Sequence, residues 1–309
     1  MRLALRIVVV LLAMAVSAPA AHAAFPGKNG AIGFAHTGTG SDSEQPLVEH
    51  SSLLAKRLGG GRARTLVECE LSDGVPSGGD CSGRNYRSPS YSANGNRLVF
   101  DGGTRIGLMP AGGGPVTLLP AVTSDDGDPA FSTDGRRIVF TGANDRGTTD
   151  LYVRSVDGGP AHLIVLDAGQ PAWSSRGEIA YVRSGNVYVA RPNGSHRRWV
   201  TSGVSPDWAP GGRKLVLIRP LPRLTFDAPI GRMYTVGAGG HGLHRVGGPS
   251  DALSPIWSPD GRWIAFAGSE SGVFAKRLGS RAPARIVMET QFGSEGASTV
   301  AFDPAWRPR

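Results

Sequence analysis

Cysteine, charged residues and long apolar runs are all scarce in this chain. Only two cysteines, Cys69 and Cys81, occur in 309 residues, which excludes a disulfide-dense miniature fold and a paired CxxC metal site. Charged residues make up 19% of the chain. Its Lys and Arg are scattered, and no stretch interleaves basic with aromatic residues as a nucleic-acid surface requires. No apolar run approaches the ~20 residues that a membrane-spanning helix needs. GxSxG, HExxH and DxDxDG are absent, so the signals of a nucleophile elbow, a zincin helix and a calcium loop are missing. No nucleic-acid partner, transmembrane segment, metal or other cofactor is expected on these grounds.

Glycine and proline are plentiful instead. With 45 Gly and 23 Pro the chain is rich in turns, while 40% apolar residues still supply a core. The glycines follow no three-residue period and apolar segments recur throughout, which argues against collagen and against disorder. Many short strands joined by tight turns are expected. The formal charge is +8; such a charge suits an anionic polymer or membrane surface, and equally keeps a protein soluble.

Residues 1–23 read as a secretory leader. Arg2 and Arg6 precede an apolar run from Ile7 to Val16, and Ala21-His22-Ala23 presents small residues for cleavage, with a second option after Ala20. Export to a secreted or extracytoplasmic location follows as an expectation. An oxidising compartment would let Cys69 and Cys81, 12 apart in a Gly, Ser and Asp-rich stretch, form a disulfide that stabilises by about 3 kcal/mol on the chain-entropy account. Two free thiols are the competing reading.

Six copies of one unit organise the rest of the sequence. PSYSANGNRLVF begins at Pro89, PAFSTDGRRIVF at Pro129, PAWSSRGEIAY at Pro171, PDWAPGGRKLVL at Pro206, PIWSPDGRWIAF at Pro255 and PAWRPR at Pro304. Their spacings of 40, 42, 35, 49 and 49 residues fall in the range of four-stranded propeller blades. Proline donates no backbone hydrogen bond and is tolerated at the start of a strand or on an edge, so these six strands should lie innermost, facing a channel. Tyr91, Phe131, Trp173, Trp208, Trp257 and Trp306 recur two residues later, as wedges between neighbouring sheets. Asn94-Gly95, Asp134-Gly135, Gly211-Gly212 and Asp260-Gly261 are then hairpin turns. Their acids serve the turn and not catalysis.

The two ends of the sequence complement each other. PAWRPR supplies an inner strand without a partner, GKNGAIGFA from Gly27 supplies a second strand without an inner one, and LAKRLGGGRARTLV from Leu54 aligns without gaps on FAKRLGSRAPARIV from Phe274. The fold class expected is therefore all-β: a six-bladed β-propeller of four-stranded antiparallel blades, one domain over residues 24–309, closed by pairing of its N- and C-terminal segments and monomeric.

The PxWSPDGxxIAF unit resembles the PD40, or WD40-like, repeat of TolB-type β-propellers, and the resemblance covers nearly the whole chain after residue 23. It implies a binding scaffold. Related propellers also occur as lyases and as gating domains of serine peptidases, so a carbohydrate- or lactone-active lyase or hydrolase at the channel mouth is the alternative. The small α/β domain that precedes the propeller in TolB is not recognisable here, and a Tol-complex role is not implied.

Fold alone does not assign function. The residues immediately before the six prolines are Ser88, Asp128, Gln170, Ser205, Ser254 and Asp303, all polar, and they should ring one mouth of the channel. Contact with a protein or extracellular polymer and mere wet lining are both open. The same face should carry the insertion from Arg219 to Gly231, with Arg219, Arg223, Phe226 and Asp227 as interface candidates, and the Gly and Ser-rich segment His36 to Gln45. His241 and His244 are expected to be ordinary turn residues. No catalytic residue is assigned.

Overall fold

Five antiparallel β-sheets build the computed structural model, which describes residues 25–40, 48–72, 75–77, 86–221, 230–268, 272–282, 284–288, 291–292 and 298–309. Three sheets have four strands each, and in each case the first strand in the sequence lies at the edge: Arg87–Tyr91 with Arg97–Asp101, Ile106–Pro110 and Thr117–Leu118; Asp126–Phe131 with Arg137–Ala143, Thr149–Ser155 and His162–Val165; and Gly169–Trp173 with Ile179–Arg183, Asn186–Ala190 and Arg198–Ser202. These inner strands, together with Val204–Trp208, Ala252–Trp257 and Ser298–Pro308, touch one another in a closed cycle. The architecture is thus an all-β propeller.

The expected count of six separate four-stranded blades is corrected. An eight-stranded sheet takes in Val204–Trp208, Lys214–Pro220, Gly231–Gly237, His244–Arg245, Ala252–Trp257, Trp263–Gly268, Gly272–Arg277 and Arg285–Met288, merging two copies of the repeat. The cause is local. His244–Arg245 pairs over only two residues with Gly231–Gly237, and the free end of the latter bridges Gly231 to Ala252. A glycine is needed there, because a Cβ on residue 231 would lie 2.1 Å from the Arg219 carbonyl oxygen. A six-stranded sheet runs in the order Gln291–Phe292, Ser298–Pro308, Asn29–Gly40, Val48–Arg57, Arg64–Ser72, Val75–Ser77.

Pairing of Asn29–Gly40 with Ser298–Pro308 joins the N-terminal and C-terminal segments, from Asn29 opposite Pro308 to Thr39 opposite Ser298. The seam is tight: a Cβ on residue 30 would lie 2.5 Å from the Arg307 carbonyl oxygen, and Arg307 Nε donates to Gly95 O at 2.7 Å. Phe25 is buried in the same core cluster as Phe131 and Trp173. The hairpin of Asn29–Gly40 with Val48–Arg57 stays paired out to Gly40 opposite Val48. Strand therefore extends into the segment from His36 that the sequence suggested as loop, and residues 41–47 lie outside the described ones.

The prolines do not begin the inner strands. They sit within them, and the register against the second strand shifts at that point in every copy, for example between Arg87/Ser90, Gly169/Ala172 and Leu253/Ile256. A residue with no N–H interrupts the ladder, and a bulge accommodates the break. Below it, the six aromatics are all buried. Trp208 packs with Ala180, Val187 and Val189 of the preceding sheet as well as with Leu215 of its own, and its Nε1 donates to Ala172 O at 3.1 Å. Arg97 and Arg137 each lie over the aromatic of the next copy, 5.6 Å from the Phe131 ring and 5.2 Å from that of Trp173. The turns work as anticipated: Ser132 Oγ donates to Asp134 Oδ1 at 2.6 Å and the Arg136 N–H joins it at 3.0 Å. Those bonds, the serine's first, hold the Asp134 carboxyl below its usual range. The third strands read at Leu151-Tyr152-Val153 and Val187-Tyr188-Val189 are present.

Two outcomes follow for stability. Deleting Pro304 to Arg309 should leave Asn29–Gly40 without its partner, lowering the melting temperature and promoting aggregation; calorimetry and light scattering check this, and wild-type behaviour would refute the closure. Trp208→Ala should cost about 3–5 kcal/mol in denaturant unfolding, whereas Trp199→Ala, at a side chain 56% exposed, should stay within about 0.5 kcal/mol.

Candidate functional site

Every residue that precedes one of the six prolines has a left-handed backbone. The φ angles are 51° at Ser88, 48° at Asp128, 52° at Gln170, 50° at Ser205, 45° at Ser254 and 48° at Asp303. Such angles are uncommon for residues other than glycine and cost of order 1–3 kcal/mol each. The strain is repeated six times and stabilised by neighbours. Ser254 Oγ donates to Asp303 Oδ1 at 2.9 Å, the Ser88 N–H to Asp303 Oδ2 at 3.4 Å, Ser88 Oγ to Asp128 Oδ1 at 3.0 Å, and the Ser205 N–H to Gln170 Oε1 at 2.7 Å. The bonds run from one inner strand to the next around the channel. Five of the six are buried and Asp128 is half-buried, so the structure brings them together as a ring, and among the described residues Ser205 Oγ is left without a hydrogen-bond partner.

Carboxylates gather beside this ring. Asp101, at the end of its strand, joins Asp125, Asp128, Thr141, Thr149 and Gln170 around a cavity of about 350 Å³. A second hollow of about 530 Å³ shares part of this wall and continues outward past Asn144 and Asp167, where Arg146 pairs with both Asp150 and Asp167 at 2.9 Å. Burial, then the Asp303 charge, pushes the Asp128 carboxyl up to about 7; Ser88 and Arg87 act in the opposite sense. Burial also raises Asp303, and burial together with Asp128 raises Asp101 well above the usual range. Like charges share one desolvated place, and their protons are held more tightly than in water.

The remaining predicted residues are placed differently. Arg219 lies 5.3 Å over the Tyr234 ring of its own sheet and donates to Thr201 Oγ1 of the preceding sheet at 3.0 Å. Arg223, Phe226 and Asp227 lie outside the described residues, as does Cys81, so the bond proposed between Cys69 and Cys81 falls there too. Cys69 sits in its strand opposite Ser51. His244 is in a two-residue strand and His241 in the preceding turn.

Asp101 and Arg87 were not singled out by the sequence. A signal existed. The position directly after Leu98-Val99-Phe100, Ile138-Val139-Phe140 and Ile179-Ala180-Tyr181 reads Asp101 in the first copy, Thr141 in the second and Val182 in the third, and all three line the cavity. Asp207 was missed as well: it is fully buried, accepts the Trp257 N–H at 2.7 Å, and burial raises its pKa well above the usual range. It ties one inner strand to the next in the interior and does not belong to the mouth.

Comparison with known proteins agrees with this architecture. No protein-family model matches the chain. A protein TolB homolog of Chlorobium luteolum is 29% identical over 143 residues, which cover 41% of this chain and 32% of that protein; the match thus spans about a third of the relative's length. The crystal structure of TolB from Acinetobacter baumannii superposes with a TM-score of 0.66 at 15% identity, over 90% of this chain and 67% of that one. An oligogalacturonate lyase in complex with manganese gives 0.52 at 12% identity, over 88% and 89%. Taken with the repeat and the closed cycle of inner strands, these likenesses show a β-propeller fold, with a sequence similar to that of TolB-type PD40 β-propellers.

Proposed function

We propose that the chain is an exported binding scaffold whose channel mouth receives a basic group of a protein partner. The observation that carries this reading is the convergence of Asp101, Asp128 and Asp303 beside one cavity, with Asp125 at its wall and Arg87 as the nearby cation acting on all three. Buried and half-buried carboxylates that repel each other are relieved by an incoming ammonium or guanidinium, and a partly desolvated charge pair is worth more than one in open water. The left-handed backbone at the ring supports the reading further. Strain held by the surrounding structure is a common mark of a working surface. The rigid inner strands preorganise the acceptors, so little ordering cost falls on binding.

Export rests on the leader read in residues 1–23, which are outside the described ones, and on the likeness to TolB proteins. The lyase alternative draws on fold likeness alone. Among the described residues no group of three or more His, Cys, Asp or Glu side chains is disposed to hold a metal ion.

A photo-crosslinking residue at Thr149, on the cavity wall, should yield protein adducts in the producing cell, whereas one at Gly59, in the turn after Val48–Arg57, should not. Adducts that are polysaccharide would redirect the proposal to a polymer, and equal labelling from both positions would sink it. The pH dependence has a definite sign. Asp128 binds its proton more tightly folded than unfolded, so the folded state is penalised above pH 7 and stability rises as pH falls from about 8 toward 5. Asp128→Asn should therefore raise the melting temperature at pH 8, change it little at pH 5, and weaken capture of the partner at pH 8.

A further inference from the structure

We infer that the end of the propeller opposite the mouth carries a site for a multiply charged oxyanion of the phosphate class. A cavity of about 330 Å³ opens there, lined by Arg57, Arg62, Arg64, Arg307, Arg309 and Tyr91, with no aspartate or glutamate in its wall. Chain direction explains the gathering. Val48–Arg57 runs away from the mouth and ends on Arg57, the turn carries Arg62, Arg64–Ser72 starts back from the same end, and Ser298–Pro308 finishes there with Arg307 and Arg309 beside it.

Five like charges around one hollow repel one another, and a fold gains nothing from that arrangement by itself. The repeats confirm that the fold does not require them. In the gap-free match of Leu54 to Val67 on Phe274 to Val287, Arg62 and Arg64 correspond to Ala282 and Ala284. At the position of Arg307, the other copies have Ser92, Ser132, Ser174, Ala209 and Ser258, where the serines hold the turn. Three of the five arginines thus replace small residues that serve the same local structure elsewhere.

Their disposition suits an anion. Arg64 Nη2 donates to Gly112 O at 2.6 Å and Arg307 Nε to Gly95 O at 2.7 Å, which fixes two guanidinium planes while leaving further N–H groups unused. Arg57, Arg62 and Arg309 are exposed. Tyr91 is buried, and among the described residues its hydroxyl has no hydrogen-bond partner; burial pushes its pKa up to about 12, so it remains a donor. At Gly60 and Gly61 the space that a side chain would fill is open, so a ligand can approach the backbone. A lone carboxylate would leave most of the positive charge unbalanced. Phosphate, with more charge and several acceptor oxygens, matches the forked donors better.

Calorimetric titration of the full chain with tripolyphosphate tests the site, with inorganic phosphate and acetate as separate arms. One tripolyphosphate should bind per chain, inorganic phosphate more weakly and acetate not measurably, with affinity falling as salt is raised. The double variant Arg57→Gln/Arg62→Gln alters exposed side chains and should weaken binding by about tenfold or more. Arg213→Gln/Arg245→Gln, removing the same charge from exposed positions elsewhere, should leave it within about twofold. Absence of saturable binding, acetate binding as tightly as phosphate, or equal losses in the two double variants would overturn the proposal.

Discussion

Antiparallel pairing between Asn29–Gly40 and Ser298–Pro308 is the constraint on which both ends of the molecule depend. One strand of that pair carries Asp303 near its middle and Arg307 near its end, so the same ladder positions a carboxylate of the mouth and a guanidinium of the opposite cavity. The ladder also stops the ring from ending in two open sheet edges. Around it the remaining contacts are repetitive and local: an aromatic wedge, a serine and aspartate turn, and a bulge at each proline. These can be exchanged between copies. The seam has no duplicate.

Charge is distributed along the channel axis in a way that the net value conceals. The formal charge is +8, yet the mouth gathers Asp101, Asp125, Asp128 and Asp303, while the far end gathers five arginines. A propeller with opposite poles presents two electrostatically distinct surfaces, and fields of this kind steer encounter as much as they add affinity. Burial sharpens the acidic pole. A carboxyl whose proton is lost near neutrality changes its charge between mildly acidic and mildly basic pH, whereas guanidinium does not.

Much of this architecture was legible in the sequence because the repeat carries its physics in residue types. Proline with an aromatic two residues on, followed by an Asp-Gly turn, fixed the inner strands, the wedges and the hairpins, and the complementary ends foretold the seam. The polar residue before each proline was legible as a repeated position. Its left-handed conformation was not legible, since Ser and Gln carry no preference for it; the bulge created by the next residue imposes it. Sheet count was not legible either. It turned on a single bridge from Gly231 to Ala252, permitted by a missing Cβ and a very short outer strand. The arginine cavity needed three strands to be brought side by side, although the alanines at 282 and 284 in the matching copy already marked Arg62 and Arg64 as additions.

The direction of the two strands at the seam has a mechanical consequence. Asn29 and Pro308 face each other at the same end of the ladder, so tension applied through the chain at these residues would peel the pairs apart one after another instead of shearing them all at once. Resistance would then be that of a zipper, yielding from Pro308 inward, and the bonds from Ser88 and Ser254 to Asp303 would be reached only after the lower rungs had parted. Anchored at both termini, the molecule would behave as a load-sensitive clasp in which the mouth is the last part to let go.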